Sequence, residues 1–340
     1  MKRNLFFLTA MILLLSATLI ISGCAACGRD LSGSSMPPSS SMVPNPVPST
    51  PPGNPSDPSS PSAPNKPSKP SMPGTPSDPN SDVPTESSDL PALAMSADFL
   101  QIGTLDNKSV LWGPGTQQDS LGRSTACVNL DKQYKKYDSY FIAPETENTV
   151  TLSFDQGYEN GYTTPILNAL KEKGVRAIFF LTGHYVRSEP ELVQRMIDEG
   201  HILGNHSDSH KVYCEELSIE DSFEDAKWMQ DYLRDNFNYE MRLFRFPEGK
   251  FSEQSLALMQ QMGYKSVFWS FAYSDWDVNK QPTPAAAMEK IMKYLHPGEI
   301  MLLHSVSSTN AEILPQVIDA IRDKGYEVAP FSAIDELSAS

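Results

Sequence analysis

Seven short runs of apolar and β-branched residues punctuate the chain from residue 150 onward: VTLSF (150–154), AIFFLT (177–182), HILGN (201–205), RLFRF (242–246), SVFWS (266–270), IMLLH (300–304) and EVAPF (327–331). Each is too short for a helix and nearly continuous in its hydrophobicity, the pattern of a strand buried on both faces. The segments between them are amphipathic. Ser188-Glu189-Pro190-Glu191 reads as a capping box with proline in the first turn, ahead of Leu192, Met196 and Ile197, and Gly200 closes that helix. Ser252, with Gln254 and Ser255, opens another before Leu256, Met259 and Met262, which Gly263 ends. Strand and helix in alternation predict an α/β domain of about seven parallel strands with helical crossovers, as an open sheet or an incomplete barrel.

The first ninety residues carry no such pattern. The apolar run FFLTAMILLLSATLIISG follows Met1-Lys2-Arg3-Asn4-Leu5 and closes at Ile21-Ser22-Gly23-Cys24. A basic tip, an apolar stretch and small residues before a cysteine form an export signal over 1–23, similar to the lipobox of bacterial lipoproteins, in which cleavage leaves a lipid-bearing Cys24. The competing reading is an uncleaved transmembrane anchor, because the run is nearly long enough to span a bilayer. Either reading puts the folded part outside the cytoplasm and ties it to a membrane. From Leu31 to Leu90 there is no Phe, Tyr, Trp or Ile, and Pro, Ser, Asn and Asp dominate. Such a chain buries no core, so 24–90 reads as a disordered, lipid-anchored linker that at about 3 Å per residue could reach on the order of 100 Å.

The domain expected over 91–340 holds 22 basic and 36 acidic residues, a formal charge near −14. That acidity argues against nucleic acid as a partner. Of four cysteines, Cys127 and Cys214 fall in the domain and could pair in an exported protein, with Cys27 in the linker.

Asp155, His206, Arg245 and His304 all lie at or just past the C-terminal end of a predicted strand. In parallel α/β folds those ends form one rim, where active sites assemble. Any one of the four alone reads more simply as a cap or a loop residue; together they point to a site. His206-Ser207-Asp208-Ser209-His210 sets two imidazoles four apart, so that on a helical turn both could reach one metal ion. The stretch lacks the glutamate of His-Glu-x-x-His, so a base must come from elsewhere. His184 follows a strand end as a possible substrate contact, whereas His201 and His296 read as structural.

Five ordered motifs, Ser153-Phe154-Asp155-Gln156-Gly157, His206 to His210, Arg245-Phe246-Pro247-Glu248-Gly249, Asp275-Trp276 and Leu302-Leu303-His304, resemble those of the NodB-homology polysaccharide deacetylases, carbohydrate esterase family four, over about 145–335. Tyr158 to Thr163, Val267 to Ser270 and His304 to Ser307 are similar to the delta-lactam-biosynthetic branch, which deacetylates N-acetylmuramic acid in peptidoglycan. The resemblance implies a distorted, incomplete (β/α) barrel and hydrolysis of a sugar N-acetyl group with a divalent metal, expected to be Zn²⁺. It implies Asp155 as base, His304 as acid, Arg245 and Asp275 as their partners, and His206, His210 and Gln156 as metal contacts. Glu248, Lys250, Trp276 and His184 would meet substrate, and a backbone N–H near Glu248 would hold the oxyanion.

Three positions depart from that pattern. Gln156 replaces the usual metal-binding Asp, although an amide is common in the nearest branch. Phe246 replaces a proline and relaxes the φ restriction there. Glu248 stands where a basic residue suits the lactyl carboxylate of muramic acid, with Lys250 close enough to compensate. The alternatives are therefore a deacetylase of N-acetylglucosamine in wall or exopolysaccharide, and a catalytically faded glycan-binding lipoprotein. If the leader is a lipoprotein signal, Cys24→Ala abolishes labelling of the protein by a fatty-acid probe; unchanged labelling removes Cys24 as the attachment site.

Overall fold

Thr149–Gln156 is the longest strand and the axis of the fold, and every residue in it after Thr149 is buried. It belongs to a computed structural model that describes residues 93, 95–144 and 146–337; the expected leader 1–23, Cys24 and the linker 24–90 lie outside the described residues. The strands in chain order are β1 (Val110–Leu111), β2 (Ser139–Tyr140), β3 (Thr149–Gln156), β4 (Ile178–Leu181), β5 (Ile202–Asn205), β6 (Leu243–Phe244), β7 (Lys250–Phe251), β8 (Lys265–Val267), β9 (Phe271–Ala272), β10 (Glu299–His304) and β11 (Glu327–Val328). Each of the seven runs read from the sequence overlaps one of them. The other four have two residues each, like β6 and β11, but lie outside the apolar runs read from the sequence.

One parallel sheet runs in the order β2-β8-β6-β5-β4-β3-β10-β9, with β11 paired to the start of β3. The path returns on itself, because β8 and β9 belong to one continuous segment, Lys265–Ala272. Its first part pairs with β6 and β2, and its last two residues pair with β10. The sheet thus curls into a distorted barrel, incomplete at the seam between β8 and β10. Helices cross over outside: Thr163–Lys173 and Ser308–Asp323 pack against each other, and Ile219–Phe237 lies near Glu253–Gln261 and β5.

Helix boundaries follow local chemistry. Ser252 accepts a hydrogen bond from the Ser255 amide while the Ser255 hydroxyl accepts one from the Ser252 amide, a reciprocal cap that opens the helix Glu253–Gln261 as expected. The box expected at Ser188 does not form. Ser188 ends a preceding short helix, Gly183–Ser188, and the next helix starts at Pro190 with Glu189 as a cap that makes no side-chain bond. Cys127 and Cys214 do not pair; both are free thiols.

Ahead of the barrel, β1 pairs antiparallel with β7. Trp112, next to β1, donates from its backbone to Gly249 O and from its indole to Trp269 O. This ties the segment before the barrel to the loop after β6.

Register aligns one row of the barrel interior: His304 on β10 pairs with Asp155 on β3, Asp155 with Phe180 on β4, and Phe180 with Gly204 on β5. Residues in register share a face. A Cβ on Gly204 would stand 2.5 Å from the Phe180 ring, so glycine there makes the room that Phe180 fills. Gly204→Ala is expected to cost roughly 1–3 kcal/mol of stability through overpacking, measured by urea unfolding. An unchanged midpoint would show that Phe180 can move freely.

Candidate active site

Arg245 is fully buried at the centre of the site, just past β6. Its Nη1 donates to Asp155 Oδ1 at 2.8 Å, its Nη2 to Ser153 Oγ at 2.9 Å and to Phe268 O at 3.0 Å, and its Nε to Val267 O at 2.9 Å. The guanidinium lies 4.0 Å over the Phe180 ring. Ser153 and Asp155 are two apart on β3 and face the same way, which lets one arginine hold both. Burial alone would raise the pKa of Asp155. The charge of Arg245, with His304 adding to it, overcomes this and holds the carboxyl below its usual range.

His304 ends β10 with its Nδ1 2.7 Å from Asp275 Oδ1, while its backbone N–H donates to Asp275 Oδ2 at 2.8 Å. Burial works against its charged form, but Asp275 outweighs that and raises its pKa. Asp275 is fully buried, and the exposed Trp276 ring packs edge-on to His304 at 6.0 Å.

His206–His210 is a loop, not the expected helical turn. Ser207 and His210 adopt left-handed φ values of 70° and 56°, held by Asn205 Oδ1 on the Ser207 amide and Ser207 Oγ on the His210 amide, both at 2.8 Å. Asp225, on the helix Ile219–Phe237, accepts the next two amides, of Asp208 and Ser209. Gly183 admits this loop: its amide donates to Ser207 O, and a Cβ there would stand 1.8 Å from Asp208 Oδ1. The two imidazoles lie edge to face with centroids 5.0 Å apart.

His206 tests whether a metal fits. Its Nδ1 lies 2.8 Å from Arg245 O, and a carbonyl only accepts, so Nδ1 carries the proton. Nε2 therefore presents a lone pair, 3.6 Å from Asp155 Oδ2, another electron-pair donor. Burial, opposed by Asp155, pushes the His206 pKa down to about 4, so the ring is neutral at ordinary pH. Two facing lone pairs without a proton between them, beside a second imidazole, suit a cation. Among the described residues no three His, Cys, Asp or Glu side chains form a ready metal cage.

These groups open into a cavity of about 920 Å³. Asp155, His206, His210 and His304 line it, as do Glu248, Trp276 and His184. Arg245 and Asp275 stand behind the wall and act through Asp155 and His304. Three expectations are corrected. Gln156 does not line the cavity: strand alternation turns it away from Asp155, and its Nε2 donates to Ser305 Oγ at 2.7 Å, with Oε1 buried and unbonded. Lys250 does not line it either, being paired with Glu215 at 3.1 Å and Glu248 at 3.2 Å. Phe246 sits at φ −69°, an angle proline also adopts, so its loop is not loosened; its buried ring stacks on Phe268. Sequence reasoning missed Ser153, although the two-residue period from Asp155 pointed to it, and Asn310 and Asp225, for which it held no signal.

The sequence profile of the family described as polysaccharide deacetylase matches residues 143–267. Peptidoglycan-N-acetylmuramic acid deacetylase PdaA of Bacillus subtilis is 35% identical over 252 residues, covering 72% of this chain and 92% of PdaA. The chain belongs to the polysaccharide deacetylases. This deacetylase superposes on the solved structure of Bacillus subtilis PdaA, described as a family 4 carbohydrate esterase, with a TM-score of 0.63, covering 68% of this chain and 98% of that one. A family 4 carbohydrate esterase from Bacillus anthracis gives 0.56 at 35% identity, covering 69% and 99%. The deacetylase is thus an N-deacetylating hydrolase, with a distorted barrel of the family 4 kind.

The neutral state of His206 makes a pH prediction for the chelated protein. Its folded pKa, about 4, lies below the ordinary 6.5, so its contribution to stability is complete above pH 6.5 and is lost as pH falls through 4. The gap corresponds to about 3 kcal/mol. Urea midpoints across that interval should fall with acidification and fall less in His206→Asn; parallel slopes would mean that the ring is already protonated or exposed.

Proposed function

We propose that the deacetylase removes N-acetyl groups from peptidoglycan, with N-acetylmuramic acid as its sugar. The observation that carries the chemistry is the pairing of Asp155 with His304 across one register row, each backed by a partner that sets its charge. The likeness to PdaA over nearly all of that protein supports the choice of sugar. A second reading, N-acetylglucosamine, is favoured by Glu248: its carboxylate lines the cavity, no Lys or Arg among the described residues does, and Lys250 is engaged by Glu215 and Glu248. A faded glycan-binding role is disfavoured, because base, acid and both imidazoles line one cavity.

Asp155, kept ionised by Arg245, accepts the proton of the attacking water. His304, kept protonated by Asp275, delivers a proton to the departing sugar amine, so that acetate and a free amine result. His206 Nε2 and His210 would hold a divalent ion, expected to be Zn²⁺. Such an ion supplies polarisation of the amide carbonyl and a more acidic water. A backbone N–H near Glu248 would receive the developing negative oxygen. Trp276 and His184 offer the sugar a stacking face and a polar contact at the cavity mouth. Beyond the catalytic domain, we infer attachment through Cys24 to the outer face of the bacterial cell membrane, with the linker spanning toward the wall.

The test is acetate release from purified peptidoglycan, with and without chelator, followed by mass-spectrometric fragmentation of the released disaccharides to assign the free amine to one ring. Activity should be lost on chelation and restored by added metal. Asp155→Asn should lower turnover by roughly 10²-fold or more. Full activity after exhaustive chelation would end the metal mechanism, and a free amine on glucosamine alone would select the second sugar.

A further inference from the structure

Behind His304 lies a buried polar network that reaches well past Asp275. Asp275 Oδ2 accepts the His304 backbone N–H at 2.8 Å and the Asn310 Nδ2 at 2.6 Å. The same Asn310 nitrogen lies 3.2 Å from His304 O, and Asn310 Oδ1 accepts the hydroxyl of Tyr273. Asn310 sits in the first turn of the helix Ser308–Asp323, where its backbone N–H donates to Ser307 Oγ at 3.0 Å. Asn310, Tyr273 and Asp275 are 2%, 8% and 0% exposed. The orientation of the amide is determined, because its nitrogen faces a carboxylate and a carbonyl while its oxygen faces a hydroxyl.

We propose that Asn310, oriented by Tyr273, is a positioning residue that aims the Asp275 carboxylate at His304 and thereby holds the proton on His304. A carboxamide is the group that fits. It has two N–H bonds for the acceptors on one side and an oxygen for the hydroxyl on the other. An aspartate would set two carboxylates face to face, and an aliphatic residue would leave Asp275 Oδ2 and the Tyr273 hydroxyl each short of a partner. Without the Asn310 donor the carboxylate is held at Oδ2 by the His304 amide alone and turns more freely, so Oδ1 is no longer fixed 2.7 Å from Nδ1 and its attraction for the imidazolium weakens with distance. The other charged groups near His304 are Asp155 on β3 and Arg245 past β6, and neither belongs to this network. Trp276 covers the ring edge-on and carries no charge.

The proposal rests on His304 as the acid of the deacetylation, so its test reads His304 separately from turnover. NMR titration of the His304 imidazole in the full chain, assigned by its disappearance in His304→Gln, should show the midpoint in Asn310→Leu lowered by about one pH unit. Tyr273→Phe should move it the same way by less. In acetate release, Asn310→Leu should lose roughly ten-fold in kcat with KM nearly unchanged, and the alkaline limb of its pH profile should move to lower pH. A wild-type His304 midpoint in both variants overturns the proposal, whatever happens to stability. If Asn310→Leu does not fold, the midpoint in Tyr273→Phe decides alone. A moved midpoint with an unmoved kinetic limb supports the positioning role and removes His304 as the acid.

Discussion

The buried guanidinium of Arg245 is the tie on which both the barrel and its chemistry depend. It donates to Ser153 and Asp155 on β3 and, across the barrel, to the carbonyls at Val267 and Phe268, just where the segment Lys265–Ala272 crosses from one partner strand to the other. A charge so far from solvent is tolerable because every side of it is answered, by a carboxylate, a hydroxyl, two carbonyls and the face of Phe180. The same bond that stabilises the arginine keeps Asp155 ionised. The base therefore owes its protonation state to the packing of the barrel interior.

The two proton carriers are neighbours in register but live in opposite electrostatic surroundings. Asp155 meets a cation and is held deprotonated, whereas His304 meets an anion and is held protonated. Groups whose environments pull their pKa values apart in this way can serve as base and acid in one turnover. His206 differs from both. Burial keeps it neutral, and a backbone carbonyl fixes which nitrogen carries the proton, leaving Nε2 as an electron-pair donor toward the cavity. Three imidazole and carboxylate functions are thus separated by local surroundings on one rim.

The rim also explains the residue that looked most anomalous. Gln156 follows the base directly, yet the two-residue period of β3 sends its side chain to the other face, where it bonds Ser305 beside the end of β10. An amide is well suited to that buried place, since a carboxylate there would have to be paired. Glu248 is the opposite case. Its left-handed turn sets a carboxylate at the cavity edge, with glycine next to it because a Cβ on Gly249 would meet the Trp269 ring at 2.6 Å.

The sequence by itself determined the seven principal strands, their alternation with helices, and the positions of Asp155, His206, Arg245 and His304 at strand ends, because hydrophobic periodicity and strand polarity are local properties. The short strands β1, β2, β7 and β9 were not legible, since each lies outside the apolar runs that mark the others. Nor was the loop conformation of His206–His210, which depends on Asn205, Ser207 and a carboxylate from a distant helix, Asp225. Tertiary structure alone decided that Gln156 meets Ser305, that Lys250 is already paired, and that Asn310 stands behind Asp275. The physical reason is common to all three: which groups a side chain meets is settled by register and by packing between elements far apart in the chain, and spacing along the chain does not contain that information.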